Sequence, residues 1–137
     1  MTITTAICNS FKQEILEGVH ASADTYKIAL YTDVATLDAD TTAYSSTNEV
    51  IGVGYTAGGA TLSGYTSGLS SNTAYITFSD PSWANSTITA RGCLIYNSSK
   101  SNKAVAAFDF GANVVSVTGT FTIDLPAAGA SALIRIS

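Results

Sequence analysis

From residue 26 onward the apolar residues recur at every second position, and these runs are cut about every ten residues by Gly, Pro, Asn, Asp or Ser. A period of two belongs to an extended chain with one face turned inward. Many short runs of this kind must close into antiparallel layers, because parallel strands need helical crossovers between them. The runs cover residues 26–32, 49–55, 60–70, 73–79, 87–96, 104–110, 114–125 and 132–136. They predict a mainly β chain folded as an antiparallel β-sandwich, with Gly and Thr at the strand margins suiting jelly-roll-like corners. Gly52 and Gly54 interrupt the second run, and Ala57-Gly58-Gly59 reads as a hairpin-like turn. Gly64 and Gly68 read as bulges, and Gly92 as a bulge or a close approach. Asp80-Pro81-Ser82, the polar stretch 97–102, Gly111-Ala112-Asn113 and residues 126–129 read as turns.

One segment departs from this period. Ser10 and Gln13 have the spacing of a capping box, and Phe11, Ile15 and Val19 recur every fourth residue with Leu16 widening the stripe. Gly18 suits a helix end. The spacing predicts one short helix over residues 11–17, inside a capped segment 10–18. Residues 1–9 precede this first capped element and are expected to form an N-terminal arm whose backbone groups need partners from elsewhere. Residues 33–48 show no period, and a connection of that length should carry function or hide a short element.

With 137 residues the chain fits a single β domain. Charged residues make up only 12%, against roughly 25% in an average soluble domain. The polar surface must therefore come from hydroxyls and amides, here 17 Ser and 19 Thr. A weakly charged surface is easily desolvated and suits coverage by neighbours. The net charge is −4 and the six Lys and Arg are scattered, which argues against binding nucleic acid or an anionic membrane. No apolar stretch approaches the roughly 18 residues of a membrane span. The first residues have neither the basic nor the apolar region of a signal peptide, so the chain is expected to be made and folded in the cytoplasm. In a reducing cytosol Cys8 and Cys93 read as small buried hydrophobes, with a disulfide left open. Asn85-Ser86-Thr87 and Asn97-Ser98-Ser99 read as turns.

The inventory for chemistry is poor, and no enzyme is expected. His20 is the only histidine, so no His-rich metal site can form, and its place at the helix end suits a capping or surface role. No nucleophile elbow occurs and neither cysteine lies in a nucleophile motif. Asp38-Ala39-Asp40, with Asp33 and Glu49 nearby, offers oxygen ligands, but the spacing is not that of a calcium loop and a solvated turn accounts for it. Nothing selects Asp109 and Asp124 as a glycosidase pair. The glycines of residues 52–59 lack the Lys and following helix of a phosphate loop. No metal or cofactor is expected. Trp83, beside the Asp80-Pro81-Ser82 turn, is the best candidate for an exposed aromatic.

The order of several weak motifs carries a resemblance. Phe11-Lys12-Gln13-Glu14-Ile15-Leu16 with Gly18-Val19-His20 is followed by the run 26–32, then by Thr47-Asn48-Glu49-Val50 and Gly54-Tyr55-Thr56-Ala57-Gly58-Gly59. Residues 89–97 and Phe108-Asp109-Phe110-Gly111 complete the pattern. Over nearly its whole length the chain resembles a family of small tailed-phage virion proteins encoded among the head genes. The resemblance implies a capsid decoration, or cement, protein: a structural protein of the virion that coats and stabilises the outer surface of the capsid. Its expected partners are the major capsid protein and further copies of itself, as a homodimer or homotrimer. On this reading the candidate contact residues are Thr2, Ile3 and Ile7 in the arm and Asp38 and Asp40 in the long loop. Trp83, and Leu133, Ile134 and Ile136 in the last strand, complete the set. The alternative is a receptor- or glycan-binding module of a tail fibre or baseplate, presenting Trp83 and tyrosines to sugar. A small hydrolase is a third reading.

Overall fold

Strand β2 (Tyr26–Tyr31) is buried almost throughout, including Ile28, Ala29 and Leu30 at 0% exposure. A strand covered on both faces belongs in the middle of a layered structure. The computed structural model describes residues 2–136 and places β2 between a long strand, β6 (Ser82–Asn97), and a two-residue strand, β3 (Ala60–Thr61). Strand β7 (Lys103–Thr122) follows β6, and β1 (Ala6–Ile7) closes the far edge, giving the antiparallel order β1-β7-β6-β2-β3. A second antiparallel sheet is formed by β4 (Thr66–Ser70), β5 (Thr73–Thr77) and β8 (Ile134–Ile136), in the order β4-β5-β8. Strand accounts for 47% of the chain and helix for 8%. The chain is thus mainly β, with two antiparallel sheets and one helix, as the period of two predicts.

The sheets meet through aromatic packing. Tyr26 of β2 lies 5.5 Å from Phe78 and 5.9 Å from Tyr65 between ring centroids. Phe11, Val105 and Ile134 line the same interior. Helix α1 (Asn9–Leu16) contributes Phe11 as its buried residue. Its N-cap is Cys8 and not Ser10, and no side chain caps it. The Ser10 hydroxyl is buried without a hydrogen-bond partner, so the capping box read from the sequence does not form. The reason lies upstream: the Cys8 N–H donates to the Val105 carbonyl at 3.0 Å, which fixes the cap to the sheet at Cys8 and not at Ser10.

The arm predicted at the N-terminus is not free. Ile3 is 4% exposed, bridges Leu37 in parallel and packs against Gly92, where an added Cβ would lie 2.8 Å from its Cδ1. Ala6 and Ile7 pair with Ala107 and Ala106 of β7. The long loop is held in the same way. The Thr4 N–H donates to the Leu37 carbonyl at 2.8 Å, and Ala35 and Leu37 are buried. The two segments whose sequences lack a period satisfy each other and the sheet edge.

Strands β6 and β7 differ most from expectation. Gly111-Ala112-Asn113 does not turn the chain, because β7 runs through it. Gly111 has φ 84° and bends the strand in place. Phe110 and Phe121 lie in the same strand, yet their ring centroids are 6.5 Å apart. A straight strand at ~3.4 Å per residue would separate these positions by roughly 37 Å. The β6–β7 ribbon therefore folds back over the first sheet. The cause is a set of register shifts, between Trp83 and Ser86, Ser86 and Ile88, and Ala90 and Gly92, with positive φ at Asn85 and Thr118. Bulges bend a ribbon by freeing backbone groups, which then need other partners. Here Ser86, 0% exposed, supplies them. Its hydroxyl lies 3.0 Å from the carbonyls of Trp83 and Gly119 and 2.9 Å from the Ser116 hydroxyl, which in turn accepts from the Ile88 N–H.

The bend carries Trp83 inward, where it is 7% exposed and packs between Tyr55 and Phe121. Trp83 is thus a core residue and not a surface platform. Residues 49–55 form no strand. They are a strap that bonds through the Val53 carbonyl to the Thr87 N–H at 2.9 Å. The strap ends at Gly59, where φ is 79° and an added Cβ would run into the Ile28 carbonyl. Gly59→Ala should cost about 2–4 kcal/mol, combining left-handed strain with displacement of a core strand. Equilibrium urea unfolding checks this, and an unchanged midpoint would contradict it.

Candidate contact surface

The titratable groups that could perform chemistry are engaged in holding the fold. Among the described residues no three His, Cys, Asp or Glu side chains gather as metal ligands would. Cys8 and Cys93 are free and buried, and burial pushes their thiols up to about 11 and about 12, so both behave as small core residues. His20 is also interior, with a side chain 1% exposed, and not at the surface as its position in sequence suggested. Its Nε2 lies 3.0 Å from Glu14 Oε1 and its Nδ1 lies 3.0 Å from Asn97 Nδ2. The Asn97 amide is oriented by other bonds. Its nitrogen donates to Asp24 at 2.8 Å and its oxygen accepts from the Ser99 N–H at 3.0 Å. Nδ1 of His20 is therefore an acceptor and Nε2 the donor to Glu14. Hydrogen bonds from Lys100 and Asn97 hold the Asp24 carboxyl down at about 2. The chain Glu14–His20–Asn97–Asp24–Lys100 ties the helix to the turn after β6.

A second network anchors the strap. Glu49 is 6% exposed, and among the described residues no cation pairs with it. Its carboxyl oxygens accept from Tyr44 Oη at 2.6 Å, Tyr55 Oη at 2.6 Å and the Gly58 N–H at 2.8 Å. Tyr55 Oη also accepts from the Leu30 N–H at 2.8 Å, and Tyr96 Oη donates to the Gly58 carbonyl at 2.6 Å. Burial, and next the hydrogen bond to Glu49, push the Tyr44 and Tyr55 hydroxyls far above their ordinary range. Burial followed by the charge of Glu49 raises Tyr31 as well, and takes Tyr96 to about 12. A phenol whose pKa is raised by folding contributes stability that is complete below the unfolded value near 10 and is lost as pH climbs past it. The thermal midpoint should therefore fall steeply above about pH 10. A midpoint unchanged between about pH 9 and 11.5 would contradict this network.

The charges of the chain are unevenly placed. No charged residue occurs between Glu49 and Asp80, between Asp80 and Arg91, or between Asp109 and Asp124. These intervals form the strap, most of the second sheet and the bent ribbon. Apolar side chains project from them. Ile51 is 99% exposed at the strap and Val53 70%, while Val114, Val115 and Val117 stand out on the ribbon. Thr89 lies opposite Val115, so Thr and Val share the outer face of the bend. The Thr87 N–H joins this ribbon to Val53, and Asn113 Nδ2 reaches Asp33 beside the exposed Val34. The result is one end of the molecule that is uncharged apart from Asp33 at its margin.

Leu16, Leu69 and Ile136 are exposed toward the opposite end, beside an open groove of about 400 Å³ lined by Ile15, Tyr65, Ile76 and Ile134. The register places these ends apart: β2 begins opposite Asn97 and ends opposite Gly92, toward the bend.

Of the residues singled out from the sequence, Thr2, Asp40 and Ile136 are exposed, and Ile7 and Asp38 are partly so. Ile3, Trp83, Leu133 and Ile134 are buried in their own chain and are not contact residues of the folded domain. Asp38 and Asp40 act locally. Asp38 Oδ1 accepts from the Asp40 N–H at 2.9 Å, and Asp40 Oδ1 accepts from Asn9 Nδ2 at 3.0 Å. The residues that build the uncharged end, Ile51, Val53, Val115 and Val117, were not singled out. For Val115 and Val117 the one signal is the valine-rich run Val114-Val115-Ser116-Val117, in which two adjacent apolar positions must face opposite sides of the strand. Compared with family models, with curated proteins and with solved structures, the chain finds no match.

Proposed function

We propose that the protein is a structural virion component that decorates and stabilises the outer surface of a tailed-phage capsid. The observation that carries this reading is the uncharged Val- and Thr-faced end, which suits dry contact with a large partner and offers no chemistry. The buried, mutually bonded titratable groups support it, since a coat protein needs rigidity and contact area. A ligand that binds only the assembled shell stabilises it by linkage, and an oligomer gripping several subunits gains effective concentration. The jelly-roll-like connectivity and the major capsid protein as partner belong to the same proposal.

The glycan-binding alternative is disfavoured. Trp83, the aromatic that reading relied on, is in the core, and the tyrosines nearest an open groove, Tyr65 and Tyr75, are half-buried. Copy number in purified virions separates the two readings. A decoration protein is present in many copies spread over the head, whereas a few copies confined to the tail would favour the fibre or baseplate module.

A further inference from the structure

We infer that the free edge of β7 at the ribbon bend pairs with the same edge of a second copy of this chain, forming a two-fold antiparallel dimer. This does not depend on the capsid reading. Of the other sheet edges, β1 and β3 have two residues each, β8 three and β4 five, and the edge of β6 that β2 leaves uncovered is met by the strap, where the Thr87 N–H donates to the Val53 carbonyl. Strand β7 has 20, and β1 covers it only at Ala106 and Ala107. Past these two residues, the Asp109 N–H donates to Thr5 Oγ1 and the Gly111 N–H to Asp109 Oδ1, both at 2.9 Å. Beyond them, among the described residues, no strand pairs with β7 except β6.

Such an edge displays unpaired N–H and C=O groups, and the partner that satisfies them in series is another strand. Natural edges are usually blunted by Lys, Pro or an inward charge. Residues 110–123 contain none of these. Absence of charge is also what selects a second copy as the occupant. Antiparallel self-pairing sets each residue against one from the same segment, and like charges directly opposite would oppose it. Here there are none to meet, while the rest of this net-negative chain repels its own copies. Pairing would extend the Val115, Val117 and Thr89 face across the two-fold axis, doubling the apolar contact, as an isologous interface does.

The test uses purified full-length protein without capsids. Sedimentation equilibrium of the wild type should show a concentration-dependent dimer. Amide exchange in residues 110–118 should slow as concentration rises, while exchange in β4 stays unchanged. Val115→Lys, at a position 59% exposed, places two lysines near each other across the axis. It should weaken dimerisation by ~10-fold or more. Leu69→Lys, at the opposite end, should leave it intact, and circular dichroism should show both variants folded. A wild type that stays monomeric at every concentration overturns the proposal. So does a dimer that Val115→Lys leaves unchanged, or that Leu69→Lys disrupts instead. If a monomeric wild type loses head binding on Val115→Lys, the edge belongs to a shell subunit, which equally overturns pairing between copies.

Discussion

Removing residues 2–7 should unfold the domain or bring it close to unfolding. Ile3 fills the space above Gly92, Ala6 and Ile7 pair with β7, and the Leu37 loop loses both its bonds to residues 2 and 4. Burial of Ile3 alone is worth about 2–5 kcal/mol on truncation, and the lost ladder leaves buried backbone groups of β7 unpaired. The sum is about 5 kcal/mol or more, comparable to the whole stability of a domain this size. Thermal and urea unfolding of the truncated chain measure it. A truncated protein with a native-like melting curve would show that the segment is a dispensable arm.

Glu49→Ala should be the most damaging single substitution in the strap. It leaves the Tyr44 hydroxyl, the Tyr55 hydroxyl and the Gly58 N–H without their acceptor. Each unsatisfied buried donor costs about 1–3 kcal/mol, and local rearrangement with entry of water recovers part. A loss of about 3–5 kcal/mol is expected. Glu49→Gln keeps the shape and one acceptor oxygen, and its amide can donate to a phenol, so it should cost about half as much or less. Equal losses for the two variants would mean that the carboxyl acts by filling space. No loss in either would mean that the strap is not latched. Because the latch also positions Ile51 and Val53, Glu49→Ala should weaken binding to any partner of that end even where the domain remains folded.

Legibility from sequence followed the range of the interactions involved. Strand β2 was readable to within one residue because its pattern is set by its own neighbours. The helix was readable from the spacing of Phe11 and Ile15, but its start was not, because Cys8 is held by a strand about a hundred residues away in sequence. Gly111 signalled an unusual backbone correctly. Whether such a glycine turns the chain or bends it within a strand depends on the partner strand, here β6 with its own bulges. Ala6 and Ile7 form too short a strand to show any period. Trp83 looked exposed because it follows a turn, and only the folding back of the ribbon buries it. The contact surface was the least readable part. Ile51 and Val50 are adjacent and chemically alike, yet one is 99% exposed and the other 4%. Only the latch at Glu49 and the path of the strap decide between them.

The central claim, that this domain acts by binding the outside of an assembled head, is tested most directly by adding purified protein to phage heads that lack it. The bound copies and the temperature at which DNA is released are then measured. Wild-type protein should bind to saturation and raise the release temperature. Ile51→Asp, which alters a fully exposed side chain and should spare the fold, should lower both. If folded wild-type protein binds no heads, or is found in only a few copies at the tail, the decoration reading is wrong.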